Sequence, residues 1–158
     1  MYHMVQRVDV TVHSAADPAL VYRLAADSAT WPDWSPVLRY ERERAGDAHG
    51  VGEIRVFHNR GRRNPTREEV VELTPNRRVG YVLLSGLAIR DYRAFVDLAP
   101  EGGGTRIRWH SSFEPEVRGT GWFYRRVLRL VITRYAKGLA EHAAARRAVS
   151  GRARRRGD

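Results

Sequence analysis

The side chains in this sequence with the clearest chemical potential are polar residues set two apart within otherwise apolar runs. Arg67 and Glu69 stand at that spacing with Val71 and Leu73, and alternation along a strand puts all four on one face. Tyr81 shares a face with Val79 and Leu83. Tyr92 shares one with Ala94, Val96 and Leu98, and Ser111 shares one with Ile107, Trp109 and Phe113. His58 has the parity of Ile54 and Val56. Polar groups on buried faces need partners. Arg67 and Glu69 are placed to pair, and the guanidinium could hold an anionic or carbonyl oxygen of a ligand. The hydroxyls of Tyr81 and Tyr92 could orient that ligand. With Glu69 or His58 they could also relay a proton. A chiefly apolar cavity with a few placed polar groups is the usual form of a small-molecule site.

Plainer roles stand beside these. Tyr81, Tyr92 and Trp109 also suit core aromatics, Arg67 and Glu69 a wet strand end, and His58 the edge of the loop at Asn59-Arg60-Gly61. Trp31 and Trp34 either staple short helices to a sheet or gate a cavity mouth. Other chemistries find no motif. There is no glycine-rich phosphate loop, no metal-spaced histidine pair and no nucleophile elbow, so no metal or cofactor is expected. His110 adjoins Ser111 and Ser112, but neighbours on a strand point to opposite faces.

Composition sets the frame. The 158 residues suit one domain. No apolar run reaches the roughly 18 residues of a transmembrane helix. The start alternates like a strand, and the chain has no cysteine, which fits a reducing, cytoplasmic setting. Net charge is +10, and half of it lies from Ala143 onward, where six arginines face one acid. Without interleaved aromatics such a tail implies no specific nucleic acid. Residues 149–158 therefore read as a basic, disordered tail behind a domain of residues 1–148. Monomer and homodimer both remain open.

The elements that must position these residues follow from period and punctuation. Val8, Val10 and Val12 alternate with polar residues as a strand. Asp17-Pro18 opens a helix, with Asp as cap and Pro at its first position. Asp27 to Pro36 is a loop or a second short helix. Six more strands fall at about 37–43, 52–58, 66–74, 78–85, 90–98 and 105–113, separated by turn signals. Connections this short predict antiparallel hairpins. From Gly121 to Ala148 the period changes, and Tyr124, Leu128, Val131 and Tyr135 join one stripe of a long helix. This α+β order predicts a curved seven-stranded antiparallel sheet around the C-terminal helix. The helix would add those four side chains to a cavity also lined by Trp34, Val56, His58, Val71, Leu83, Trp109 and Ser111.

Several segments in this order resemble the polyketide cyclase/dehydrase and lipid-transport group of the START-like superfamily. They are Asp17-Pro18 with Val21, Trp31-Pro32-Asp33-Trp34-Ser35-Pro36, Gly50-Val51-Gly52, Glu69 to Val79, Gly104 to Ile107 with Trp109, and Gly138-Leu139. The resemblance implies the helix-grip fold, also called Bet v 1-like, and a hydrophobic cavity. It implies no single reaction, because related proteins include cyclases and ligand carriers. Two readings remain open. One is a cofactor-independent aromatase-like enzyme for aldol cyclisation and dehydration, with Arg67 stabilising the enolate and Glu69, Tyr81 and Tyr92 moving protons. The other is a non-catalytic carrier or sensor of a lipid or aromatic metabolite.

Overall fold

The computed structural model describes residues 4–157; Met1–His3 of the strand-like start and Asp158 of the expected tail lie outside them. Strand β1 spans Gln6–Ser14. Helix α1, Pro18–Ala26, begins where Asp17 accepts the backbone N–H of Leu20 at 2.8 Å, which satisfies one of its free N-terminal donors. Asp27 then caps a 3₁₀ turn at Ser28–Thr30. The single-turn helix α2, Trp31–Trp34, follows. Six strands come next: β2 Val37–Arg44, β3 Ile54–Asn59, β4 Thr66–Thr74, β5 Arg78–Ser85, β6 Ile89–Glu101 and β7 Gly104–Pro115. Helix α3 closes the chain over Gly121–Arg155.

All strand pairs are antiparallel, in the order β1-β7-β6-β5-β4-β3-β2. Every connection except that from β1 to β2 is a hairpin. The αα segment carries the chain across to the opposite edge. The sheet's inner face packs on α3, whose buried residues Leu128, Ile132, Ala136, Leu139 and Ala143 keep helical spacing. Gly138 lets α3 approach α2: a Cβ there would lie 1.9 Å from the backbone oxygen of Trp34.

Two expectations are corrected. The long helix does not end at Ala148 but continues to Arg155, so residues 149–155 are helical. Every one of them is nevertheless exposed. The inner faces of β3 and β4 are also the reverse of those expected. Arg55 and Phe57 of β3 and Thr66, Glu68 and Val70 of β4 are buried. Val56, His58, Arg67, Glu69 and Val71 belong to the opposite, outer parity. The two strands pair antiparallel, as short connections predict, with Val56 opposite Arg67; both strands are turned over together. The cause is a bulge. Register shifts between Val70 and Glu72, so both Val70, opposite Tyr81, and Leu73, opposite Val79, face inward. Alternation counted back from Leu73 crosses that extra residue and emerges on the wrong face.

Candidate functional site

A cavity of about 150 Å³ lies between α3 and the inner face of β4–β6. Glu68, Tyr81, Leu83 and Tyr92 reach it from the sheet, and Tyr124, Leu128, Val131 and Tyr135 from the helix. Leu87 in the β5–β6 turn and Arg60, Arg62 and Arg134 also line it; the three arginines are exposed, so this is its mouth.

The middle of the grip is filled. Trp31 is fully buried, with ring centroids 4.8 Å from Trp34, 5.0 Å from Phe57, 5.6 Å from Trp109 and 5.4 Å from Tyr135. This aromatic block confines the open space to the side of the β3–β4 loop. Trp34 and Trp109, expected at the cavity, are therefore core residues outside its wall. So is Ser111, whose buried Oγ has no hydrogen-bond partner. Trp109 donates its indole N–H to the Tyr81 hydroxyl oxygen at 3.1 Å, which leaves the Tyr81 proton free for another acceptor.

Behind Glu68 stands a buried charge chain that the sequence reading missed. Arg55 is 0% exposed. Its Cζ lies 4.3 Å from the Trp31 ring centroid and 4.8 Å from those of Phe57 and Tyr81, an arrangement that favours a desolvated cation. Arg55 Nε donates to Glu68 Oε1 at 3.0 Å, and Nη1 donates to Ser28 Oγ at 3.2 Å. Nη2 is also 3.0 Å from Glu68 Oε1, but its direction makes no hydrogen bond. Ser28 in turn donates to Glu53. Glu53 Oε2 also accepts from Tyr40 at 2.9 Å and Arg42 at 3.0 Å. Charges thus alternate from the sheet edge at Arg42 to the carboxylate at the cavity wall. Phe57 was the available signal: as the largest apolar residue of β3 it had to face the core, and it takes Arg55 with it.

Burial pushes the Glu68 carboxyl above its usual range, against the downward pull of Arg55. Burial also raises the phenols of Tyr81, Tyr92 and Tyr135, with the nearby Glu68 adding to each. All three therefore stay protonated and present hydrogen-bond donors. The cavity holds one buried carboxylate, that of Glu68, and four phenols, those of Tyr81, Tyr92, Tyr124 and Tyr135, among apolar side chains, with the arginines at its mouth; this suits a ligand with a ring-sized apolar body and an oxygen at its inner end.

Arg67 and Glu69 have no part in this. Arg67 pairs on the outer face with Glu43, at 2.8 and 2.6 Å, and Glu69 with Arg44 at 2.5 Å. His58 meets Arg39 and Glu41 there, at 3.1 and 3.3 Å. Val56 and Val71 share that face. Tyr81, Leu83, Tyr92, Tyr124, Leu128, Val131 and Tyr135 line the cavity. Among the described residues no three histidine, aspartate or glutamate side chains converge as metal ligands.

Solved structures share this architecture. A START superfamily protein from Mycobacterium smegmatis superposes with a TM-score of 0.74 at 15% identity, over 87% of this chain and 96% of that one. The di-domain aromatase/cyclase StfQ of the steffimycin biosynthetic pathway gives 0.77 at 15% identity, over 92% of this chain and 53% of that one. Norcoclaurine synthase from Thalictrum, a point mutant in complex with a transition-state analogue, gives 0.72 at 14% identity, over 93% and 99%. At these identities the likeness is one of fold. No curated protein matches the sequence. The family described as polyketide cyclase/dehydrase and lipid transport matches residues 5–155, nearly the whole chain, and the protein belongs to that family.

Proposed function

We propose that the protein binds a small hydrophobic or aromatic molecule bearing two carbonyl groups and promotes its aldol closure and dehydration. The observation that carries this is the meeting of Glu68, a buried carboxylate, with the hydroxyl-bearing rings of Tyr81, Tyr92 and Tyr135 in one cavity. Glu68 takes a proton from the carbon beside a carbonyl. The enolate carbon then bonds to a second carbonyl carbon, and the new alkoxide takes a proton from a tyrosine, which Glu68 restores. Removal of the second α proton by Glu68 expels the hydroxyl as water, with the proton returned to it, and leaves a double bond. Burial makes Glu68 a stronger base than an exposed glutamate, and phenols aimed at the forming oxyanion stabilise it without reorganising. About 150 Å³ is the size that takes a single benzene-like ring. The cysteine-free chain fits a cytoplasmic setting for this role.

Deuterium uptake into the methyl group of 4-hydroxyacetophenone, followed by NMR, tests the first step. The protein should accelerate uptake over buffer, and Glu68→Gln should reduce the acceleration about a hundredfold. Retention of the ketone without exchange sinks the catalytic reading and leaves a carrier or sensor of such molecules. Native mass spectrometry of the purified protein would give the mass of any molecule it retains.

A further inference from the structure

Six arginines of the sheet, Arg39, Arg42, Arg44, Arg67, Arg78 and Arg108, each pair with a carboxylate, whereas Arg7, Arg93 and Arg106 of the sheet form no ion pair among the described residues. Around the cavity mouth and the start of α3 none is paired. Arg60, Arg62 and Arg134 at the mouth, and Arg90, Arg118 and Arg125 in the adjoining cleft, form no ion pair among the described residues. Arg62 donates only to the Gly86 carbonyl at 2.9 Å, and Arg125 to Gln6 at 3.2 Å. Glu116 is the single carboxylate lining the clefts beside the mouth.

The largest exposed aromatic side chains lie on this same face. Trp122 is 59% exposed and Phe123 49%, in the first turn of α3, and Val117 just before them is 56% exposed. Tyr124 and Val127, in the next turn, line both the cavity and the shallow cleft beside it. The apolar patch therefore runs into the mouth. The two rings touch each other, with centroids 6.1 Å apart. Two adjacent exposed aromatics in a field of free arginines do nothing for the core.

We infer that this face docks on an anionic lipid bilayer, with Trp122 and Phe123 entering the interface and the arginines on the headgroups, so that the cavity mouth opens onto the membrane. Aromatic rings settle at the headgroup level, and basic side chains beside them are drawn to anionic lipid. The favoured source follows from the ligand: a hydrophobic molecule of the kind the cavity suits partitions into bilayers, and a bilayer seated here would feed the mouth. The docking surface rests on the cavity reading for its purpose, not for its existence.

The tryptophans supply a direct test. Trp31, Trp34 and Trp109 are buried and Trp122 is exposed, so quenching by brominated lipid reports Trp122. Full-length protein is mixed with vesicles of phosphatidylcholine containing 30% phosphatidylglycerol, or with phosphatidylcholine alone. Sedimentation with the anionic vesicles, weakened by salt and accompanied by brominated-lipid quenching, is expected. Trp122→Ala with Phe123→Ala, or Arg118→Glu with Arg125→Glu, should lower partitioning about tenfold or more, whereas the outer-sheet control Arg106→Glu should change it little. These surface variants should keep the wild-type circular dichroism. No sedimentation with anionic vesicles overturns the inference and leaves the face to an acidic protein. Equal losses at Arg106 and at Arg118/Arg125 also overturn it, because net charge alone would then be acting. Vesicle binding by a protein that retains no ring ligand would defeat the cavity reading while sparing this one.

Discussion

At the residue scale the molecule turns on one buried pair. Arg55 and Glu68 face each other across β3 and β4, and each is costly inside without the other. Arg55→Met should strand the carboxylate and cost about 3–5 kcal/mol, a fall in Tm of roughly 6–20 °C for a domain of this size. Arg55→Met with Glu68→Leu should recover most of that stability, because two apolar side chains in place of a buried pair are often tolerated. A double variant as unstable as the summed singles would show that the pair does not act as a unit. The raised pKa of Glu68 also gives a pH signature. Its neutral form is favoured more strongly in the folded chain than in the unfolded one. Stability is therefore full below the ordinary glutamate value near 4.5 and declines as pH rises from there through the raised folded value. Urea titrations across that window should show the decline, and Glu68→Gln should flatten it.

At the scale of elements, the contact of α2 with α3 decides how closely the helix is gripped. The Trp34 carbonyl would sit 1.9 Å from a Cβ at position 138, and it is backbone, unable to swing aside. Alanine at an open helical site would gain about 1 kcal/mol over glycine. Here the clash should outweigh that gain, and Gly138→Ala should lose a net 1–3 kcal/mol or about that, read as a lower denaturant midpoint at unchanged slope. A stabilised variant would mean that α2 shifts freely. The outer faces of β5–β7 carry a second device: Asp97 joins Arg78, at 2.6 Å, to His110, also at 2.6 Å. Partial burial pushes the Asp97 carboxyl up, but the Arg78 and His110 hydrogen bonds more than offset this and hold it below the usual aspartate range. Its contribution is present above the unfolded value near 3.8 and is lost as pH falls through the lower folded value.

At the scale of the whole molecule, charge and fold are uncoupled at the C-terminus. Residues 149–155 extend α3 and are all exposed. Deleting residues 150–158 should leave Tm within about 2 °C, under 1 kcal/mol for a chain of this length, and reduce the far-ultraviolet helical signal slightly. A larger fall would show the extension to be docked.

The sequence by itself determined the order of elements, the pairing of neighbouring strands, and the inner faces of β5, β6, β7 and α3. Those features are local. Turn residues punctuate the strands, and the apolar period of 2 or 3.6 is unbroken through Tyr81 and Leu83, through Tyr92 to Leu98, and from Tyr124 to Tyr135. Only the tertiary structure decided which face of β3 and β4 looks inward. Each strand carries apolar residues on both faces, Ile54 and Val56 against Phe57, and Val70 against Val71. The choice was made by contacts distant in sequence: Trp31 over Arg55, Ser28 between Arg55 and Glu53, and a bulge at Val71–Glu72 fixed by the partner strand. The size of the cavity was likewise beyond any strand pattern, because it is set by where the Trp31 ring comes to rest between sheet and helix.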